Sequence, residues 1–220
     1  MQAVTSQAIS NQDVKVNSAK ISQQLDGMLA AVLHHTEWQY GEIWLPISHH
    51  QIDPAKIVNP LFDHQIDPQR VLLELSQIWA IDPNQSFLQL HAWENFWSCS
   101  RGFLLSANEG LPGRAWFSNN WEWISDVSTH SEYHFLRNQI ARAFQVKAGL
   151  AIPLTLDSAH NRSVHHRATG TYGAEKLYPD GVALFFMAEG RGQDNWLINQ
   201  TLTVLAENNL ISPQLVEFIP

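Results

Sequence analysis

Glu109-Gly-Leu-Pro-Gly-Arg-Ala-Trp116, with Glu122-Trp-Ile-Ser-Asp-Val127 close behind it, packs an unusual amount of rigid chemistry into a short span. Its chemistry predicts a turn that opens a short helix. Gly110 and Gly113 supply backbone freedom, including positive φ. Pro112 suits the first turn of a helix, where its missing N–H goes unused. Trp116, Trp121 and Trp123 then set three large rings within a few residues of one another. Arg114 has Glu109, Glu122 and Asp126 near it in sequence as candidate partners. A loop this aromatic either closes a core or walls a pocket.

The rest of the chain bounds the context. Its 220 residues suit one medium domain with extensions, or two small ones. Hydrophobic residues make up 45%, enough for a sizeable core. The formal net charge is −8, from 13 basic and 21 acidic residues, and no Lys/Arg-rich run occurs. Nucleic acid and anionic membranes both require clustered positive charge, so neither fits as a partner. Cys99 is the only cysteine, which excludes an intrachain disulfide framework and a thiolate zinc site. No basic-then-apolar leader is visible at the N-terminus, and no apolar run reaches the roughly 20 residues of a membrane span. These features predict a soluble cytoplasmic protein.

Periodicity orders the elements. Met1–Asn17 is polar and aperiodic and reads as a flexible tail. From Ser18, the residues Ile21, Leu25, Met28, Leu29, Val32 and Leu33 follow helical spacing, with Ser18 as the cap. Trp38–Pro46 predicts a strand stopped by Pro46, then comes a loop over Ile47–Gln69 and a strand over Val71–Ile81. Asn84–Ser98 reads as a helix and Gly102–Leu105 as a short strand. Ser131–Phe144 predicts an amphipathic helix, since Leu136, Ile140 and Phe144 recur at i+4. Lys147–Leu156 and Gly181–Ala188 are apolar strands flanking a polar loop, Asp157–Asp180. Asp194 caps a last helix reaching about Asn208. Helices mixed with hairpin-like connections predict an α+β fold with an antiparallel sheet.

In this order the segments resemble the GAF domain family. The resemblance is carried by Glu42-Ile-Trp-Leu-Pro46, the Glu109–Trp116 turn, Glu122–Val127, Phe135-Leu-Arg137, Lys147–Pro153, the Gly181–Glu189 strand and the Gln193–Asn208 helix. It covers most of residues 18–208 and has the flavour of cyanobacterial signalling proteins. It implies a GAF/PAS-like antiparallel sheet with helices packed on one face and a loop- and helix-roofed pocket on the other. It also implies a sensory or regulatory role, often as a dimer. On this frame residues 1–17 form a flexible tail, 18–208 the domain and 209–220 an apolar C-terminal tail. Pro213 interrupts any helical continuation there, so Ile211, Leu215, Val216, Phe218 and Ile219 must dock on a surface, by default their own domain.

Members that attach a bilin do so through a cysteine near the start of the helix expected here at Ser131. This chain has Ser131-Glu-Tyr-His134 instead. A thioether-linked bilin at that place is excluded, whereas a non-covalent tetrapyrrole or another flat ligand is not. Lone Cys99 cannot supply the intramolecular disulfide of GAF-type methionine sulfoxide reductases. The Asn-Lys-Phe-Asp-Glu signature of cyclic-nucleotide-binding members is not recognisable.

Candidate ligand contacts lie in the roof. Trp116, Trp121, Trp123, Tyr133, Leu136 and Ile140 either line an apolar pocket or fill it themselves. Arg114, Asp126, His134 and Arg137 are its polar anchors, or else pair locally. His34-His35, His49-His50, His160, His165 and His166 match no metal-ligand spacing with a mechanism behind it, so a solvated histidine-rich loop is the better reading. Cys99 reads as a small buried or half-buried filler. The expectation is a non-catalytic regulatory module acting through protein contacts, with no catalytic or metal residues assigned and its cofactor unknown. Helices Ser18–His35 and Asp194–Asn208 would form a homodimer or signalling-partner face. The alternatives are a flat-ligand or tetrapyrrole sensor, and an enzyme built around Cys99 or the histidine loop.

Overall fold

The computed structural model describes residues 11–48, 71–156, 167–169 and 175–215. Helix α1 (Asn11–His35) presents Leu25, Met28, Leu29 and Val32 at i, i+3, i+4 and i+7, all fully buried. Each such side chain contributes about 1.5–3 kcal/mol on burial. Helical backbone is already present at Asn11, the first described residue, well ahead of Ser18. Nothing between Gln12 and Ala19 breaks a helix, and extending one adds a backbone hydrogen bond per residue whether or not the new turn has an apolar stripe. Apolar periodicity is silent on such turns.

The main sheet has six strands, all paired antiparallel, in the order β3-β2-β1-β8-β5-β4. They are β1 (Tyr40–Ser48), β2 (Val71–Ile81), β3 (Leu104–Leu105), β4 (Glu122–Ile124), β5 (Gly149–Leu154) and β8 (Gly181–Phe186). A separate ribbon pairs β6 (Arg167–Thr169) with β7 (Glu175–Leu177). Pro46 does not stop β1, which runs on to Ser48. Pairing between β1 and β8 ends at Trp44. Past that point β1 has a ladder on one side only, which leaves room for a residue without an N–H.

Strand alternation divides the core in two. Ile43, Leu150, Ile152, Ala183 and Phe185 face α1 and α5 (Asn195–Glu207). Tyr40, Trp44, Leu73, Ala151, Leu184 and Phe186 face α2 (Phe87–Ser100) and α3 (Gly110–Ser118). Asp194 caps α5 as the sequence predicts, its carboxylate accepting the Leu197 N–H. The apolar tail docks on its own domain through Leu210, Ile211 and Leu215, which join the α1–α5 cluster. Residues 216–220 lie outside the described set.

One predicted helix is mostly absent. Ser131–Phe144 contains only α4 (Asn138–Ala143), preceded by turns. Phe135 and Arg137 are both buried, and the Arg137 guanidinium stands 5.4 Å from the Phe135 ring. On a regular helix two such positions point about 200° apart. Leaving helical geometry lets both side chains turn toward the same side.

Candidate functional site

The opening stretch folds as a tight entry into α3. Gly110 has φ +60°, a left-handed conformation that glycine adopts at little cost. A Cβ on Gly113 would come within 2.3 Å of the Ser106 carbonyl oxygen. The Glu109 carboxylate accepts the Ser106 N–H at 2.8 Å and closes the turn. Arg114 then projects from α3 onto β4. Its guanidinium donates to Glu122 through Nε at 3.0 Å and Nη2 at 2.6 Å, and its Nη1 donates to the His134 carbonyl at 2.6 Å. One arginine thereby ties α3, β4 and the turns before α4 together. Trp116 is buried, donates its indole N–H to the Pro179 carbonyl at 2.8 Å, and stacks on Tyr178 with ring centroids 4.4 Å apart.

Below this roof lies a charged pair. Arg137, 2% exposed, reaches the fully buried Glu42 of β1. Nη2 donates to Oε1 at 2.6 Å and Nη1 to Oε2 at 3.1 Å. Nη1 also donates to the Ser100 hydroxyl at 3.0 Å. The Tyr40 hydroxyl donates to Glu42 Oε2 at 2.9 Å and the Trp44 indole to Oε1 at 2.8 Å. Glu42 therefore accepts from three side chains, which suits a buried carboxylate. The guanidinium also lies 4.9–5.6 Å from the ring centroids of Phe96, Trp44, Phe135 and Phe186, an aromatic enclosure favourable to a cation. Burial pushes the Tyr40 hydroxyl well above its ordinary pKa; the Glu42 charge adds to this and the Arg137 charge opposes it. Tyr40 thus remains a donor at neutral pH.

The structure separates the eight sequence candidates. Trp116, Arg137 and Ile140 meet in the roofed cluster, with Leu136 beside them. Trp121 and Trp123 pack on the other face, against the α1–α5 cluster. Trp123 lies 5.3 Å from the Trp38 ring and donates to the Arg191 carbonyl at 3.1 Å. Asp126 pairs with Lys147 at 3.0 Å and accepts from Ser128. Burial alone would raise its pKa, but those hydrogen bonds and the Lys147 charge outweigh it and lower the value. Tyr133 is 85% exposed. His134 sits at the rim, its ring 4.6 Å from that of His130. Cys99 is exposed rather than a filler, because the buried stripe of α2 runs through Trp93, Phe96 and Ser100 and misses it. Among the described residues no group of histidine, cysteine, aspartate and glutamate side chains is placed to hold a metal ion. His49, His50, His160, His165 and His166 lie outside the described residues.

Sequence reasoning missed Glu42 as a site residue, together with Tyr40, Trp44 and Ser100. A signal existed: Tyr40, Glu42 and Trp44 alternate on one face of an otherwise apolar strand. A charge at such a position needs a partner.

His134 gives a pH test. Burial lowers its pKa from 6.5, the Arg114 and His130 charges lower it further, and Glu122 partly opposes them. A depressed folded value means the unfolded chain binds the proton more tightly. The contribution is therefore complete above about pH 6.5 and is lost as pH falls through the folded value. Thermal melts across this window should show a smaller loss of stability for His134→Gln than for the wild type.

A curled antiparallel sheet with terminal helices on one face and a helical roof on the other defines the architecture of GAF-type sensory and regulatory domains. The chain belongs to the GAF family: the model described as NLP protein GAF domain matches residues 12–165. No curated protein matches it. Among solved structures it is similar to the GAF domain region of a putative membrane protein from Geobacter sulfurreducens, at 13% identity and TM-score 0.48, covering 89% of this chain and 97% of that one. It is also similar to the Staphylococcus aureus NreA protein mutated in its nitrate binding site, at 14% identity and TM-score 0.44, covering 83% and 96%. A third is free methionine-R-sulfoxide reductase from Neisseria meningitidis, at 12% identity and TM-score 0.41, covering 95% and 96%. No helix among the described residues is long and apolar enough to cross a membrane.

Proposed function

We propose that this GAF domain is a non-catalytic regulatory module that works through protein contacts, as a homodimer or with a signalling partner, using the α1–α5 layer. The observation that carries this reading is Trp196, a large ring left 57% exposed on the first turn of α5. Trp and Tyr are favoured at the centres of interfaces. The roofed face supports the same reading from inside. Trp44, Phe96, Phe135 and Phe186 surround Arg137 and Trp116 belongs to the same buried cluster, so on this reading the protein's own rings take the space in which a flat ligand would lie.

Light scattering at micromolar concentration is expected to give a dimer, and Trp196→Glu a monomer with an unchanged circular dichroism spectrum. A wild-type monomer would contradict the homodimer, and a dimer indifferent to Trp196→Glu would contradict the α5 face. The tetrapyrrole-sensor alternative requires a visible absorption band from protein purified from its own host. The present reading expects that protein to be colourless.

A further inference from the structure

Between β4 and α4 the chain has no regular structure: residues 125–137 run through bends and turns. Arg114 of α3 donates to the His134 carbonyl at 2.6 Å, and Asn138 of α4 donates to the His130 carbonyl at 2.7 Å. Two ties of this segment thus end on histidine carbonyls. The rings of the same two histidines meet, with centroids 4.6 Å apart and planes tilted by 36°.

The neighbours decide what a proton does there. His134 Nε2 lies 4.0 Å from Glu122 Oε1 on β4. Arg114 Nη2 already holds that oxygen at 2.6 Å. The other charged groups around the segment are engaged elsewhere. Asp126 pairs with Lys147 and Arg137 with Glu42. Arg142 donates to the Ser128 carbonyl, and Glu132 accepts from Gln139. Charging both rings therefore sets three cations, His130, His134 and Arg114, against one engaged carboxylate, Glu122.

Like charges this close repel, and partial exposure weakens the repulsion without removing it. Burial and the Arg114 and His130 charges accordingly hold the His134 ring below its ordinary pKa, against the pull of Glu122. Released from these contacts, the rings would meet water instead. Protonation therefore favours the released segment over the tied one.

We propose that His130 and His134 form a proton-operated latch on residues 129–134, closed when both rings are neutral and released when both are charged. Phe135, next in the chain, is buried and ends the moving part. Arg114 leaves the His134 carbonyl and stays on Glu122, so α3 remains tied to β4 while this edge of the roof loosens. The latch gives the domain a proton as an input, and it stands whether or not the α5 face binds a partner.

Amide hydrogen exchange on the intact chain tests it. The His134 and Phe135 amides both donate to the Ser131 carbonyl at 2.9 Å and report the segment. Leu184, on a strand paired on both sides, reports the whole fold. With the intrinsic exchange rate divided out, protection at His134 and Phe135 is expected to fall several-fold from about pH 7.5 to about pH 5.5, across the imidazole range. Leu184 should keep its protection. His130→Gln should shrink the fall, and the double variant His130→Gln/His134→Gln should abolish it. The His134 ring, titrated by NMR, should share the midpoint of the fall. Protection indifferent to pH overturns the latch, as does a fall that survives the double variant or is shared equally by Leu184. If the double variant is unprotected at every pH, the wild-type midpoints decide: ring and amide midpoints that differ overturn the latch.

Discussion

Arg137→Ala is expected to lower the stability of the domain by about 3–5 kcal/mol, the usual result of removing one member of a buried ion pair. For a chain of this length that corresponds to a fall in Tm of roughly 6–20 °C, measurable by circular dichroism. The cause is what remains behind. Glu42 is fully buried and loses both guanidinium hydrogen bonds, keeping only Tyr40 and Trp44 as donors. The Ser100 hydroxyl still donates to the Phe96 carbonyl but no longer receives Arg137. Four aromatic rings lose the cation they surround. A Tm within a degree or two of the wild type would mean that water or another group reaches Glu42 and that the roofed face is open.

Trp116→Ala should be nearly as damaging, again about 3–5 kcal/mol, because a buried ring is replaced by a cavity that its neighbours only partly close. Trp116 also links two distant parts of the chain. It stacks on Tyr178 and donates to the Pro179 carbonyl, tying α3 to the segment that enters β8. Tyr133→Ala is the matched control from the same list of aromatic candidates. Its ring is 85% exposed, so its loss should stay within about 0.5 kcal/mol. Equal effects from the two would show that burial does not separate them as described.

Local signals are legible in the sequence. β2 is described from Val71, the first residue after the undescribed 49–70, and ends at Ile81 as the sequence predicts, because there the chain passes from apolar and aromatic residues to Asp82-Pro83-Asn84. Asp194 caps α5, because a cap is a one-turn interaction between near neighbours. The Glu109–Trp116 turn marks the GAF fold for a similar reason: its glycines and proline specify backbone geometry over a few residues.

The candidate site was less legible, since its geometry joins residues far apart in the chain. Glu42 and Arg137 are 95 positions apart, and no periodicity in either segment names the other. Arg137 reads as an anchor in a helix, whereas it precedes α4 and reaches Glu42 from there with Phe135 beside it. Trp116 and Trp123 looked like one aromatic group from their spacing. The return of the chain through β4 sends them to opposite faces of the sheet, and strand direction after a turn cannot be counted off the sequence. The polar first turns of α1 were hidden for the opposite reason, having no apolar pattern to read.

The central claim is that Glu42 and Arg137 form a closed pair beneath the α3–α4 roof, so that this face of the sheet is occupied by the protein's own side chains. A double-mutant cycle with Glu42→Gln and Arg137→Met tests it most directly, with unfolding free energies measured in urea. The account predicts strong coupling, on the order of 0.5–3 kcal/mol, with the double variant more stable than the two single losses would sum to. Additivity within about 0.5 kcal/mol would show two independent sites and contradict the closed pair.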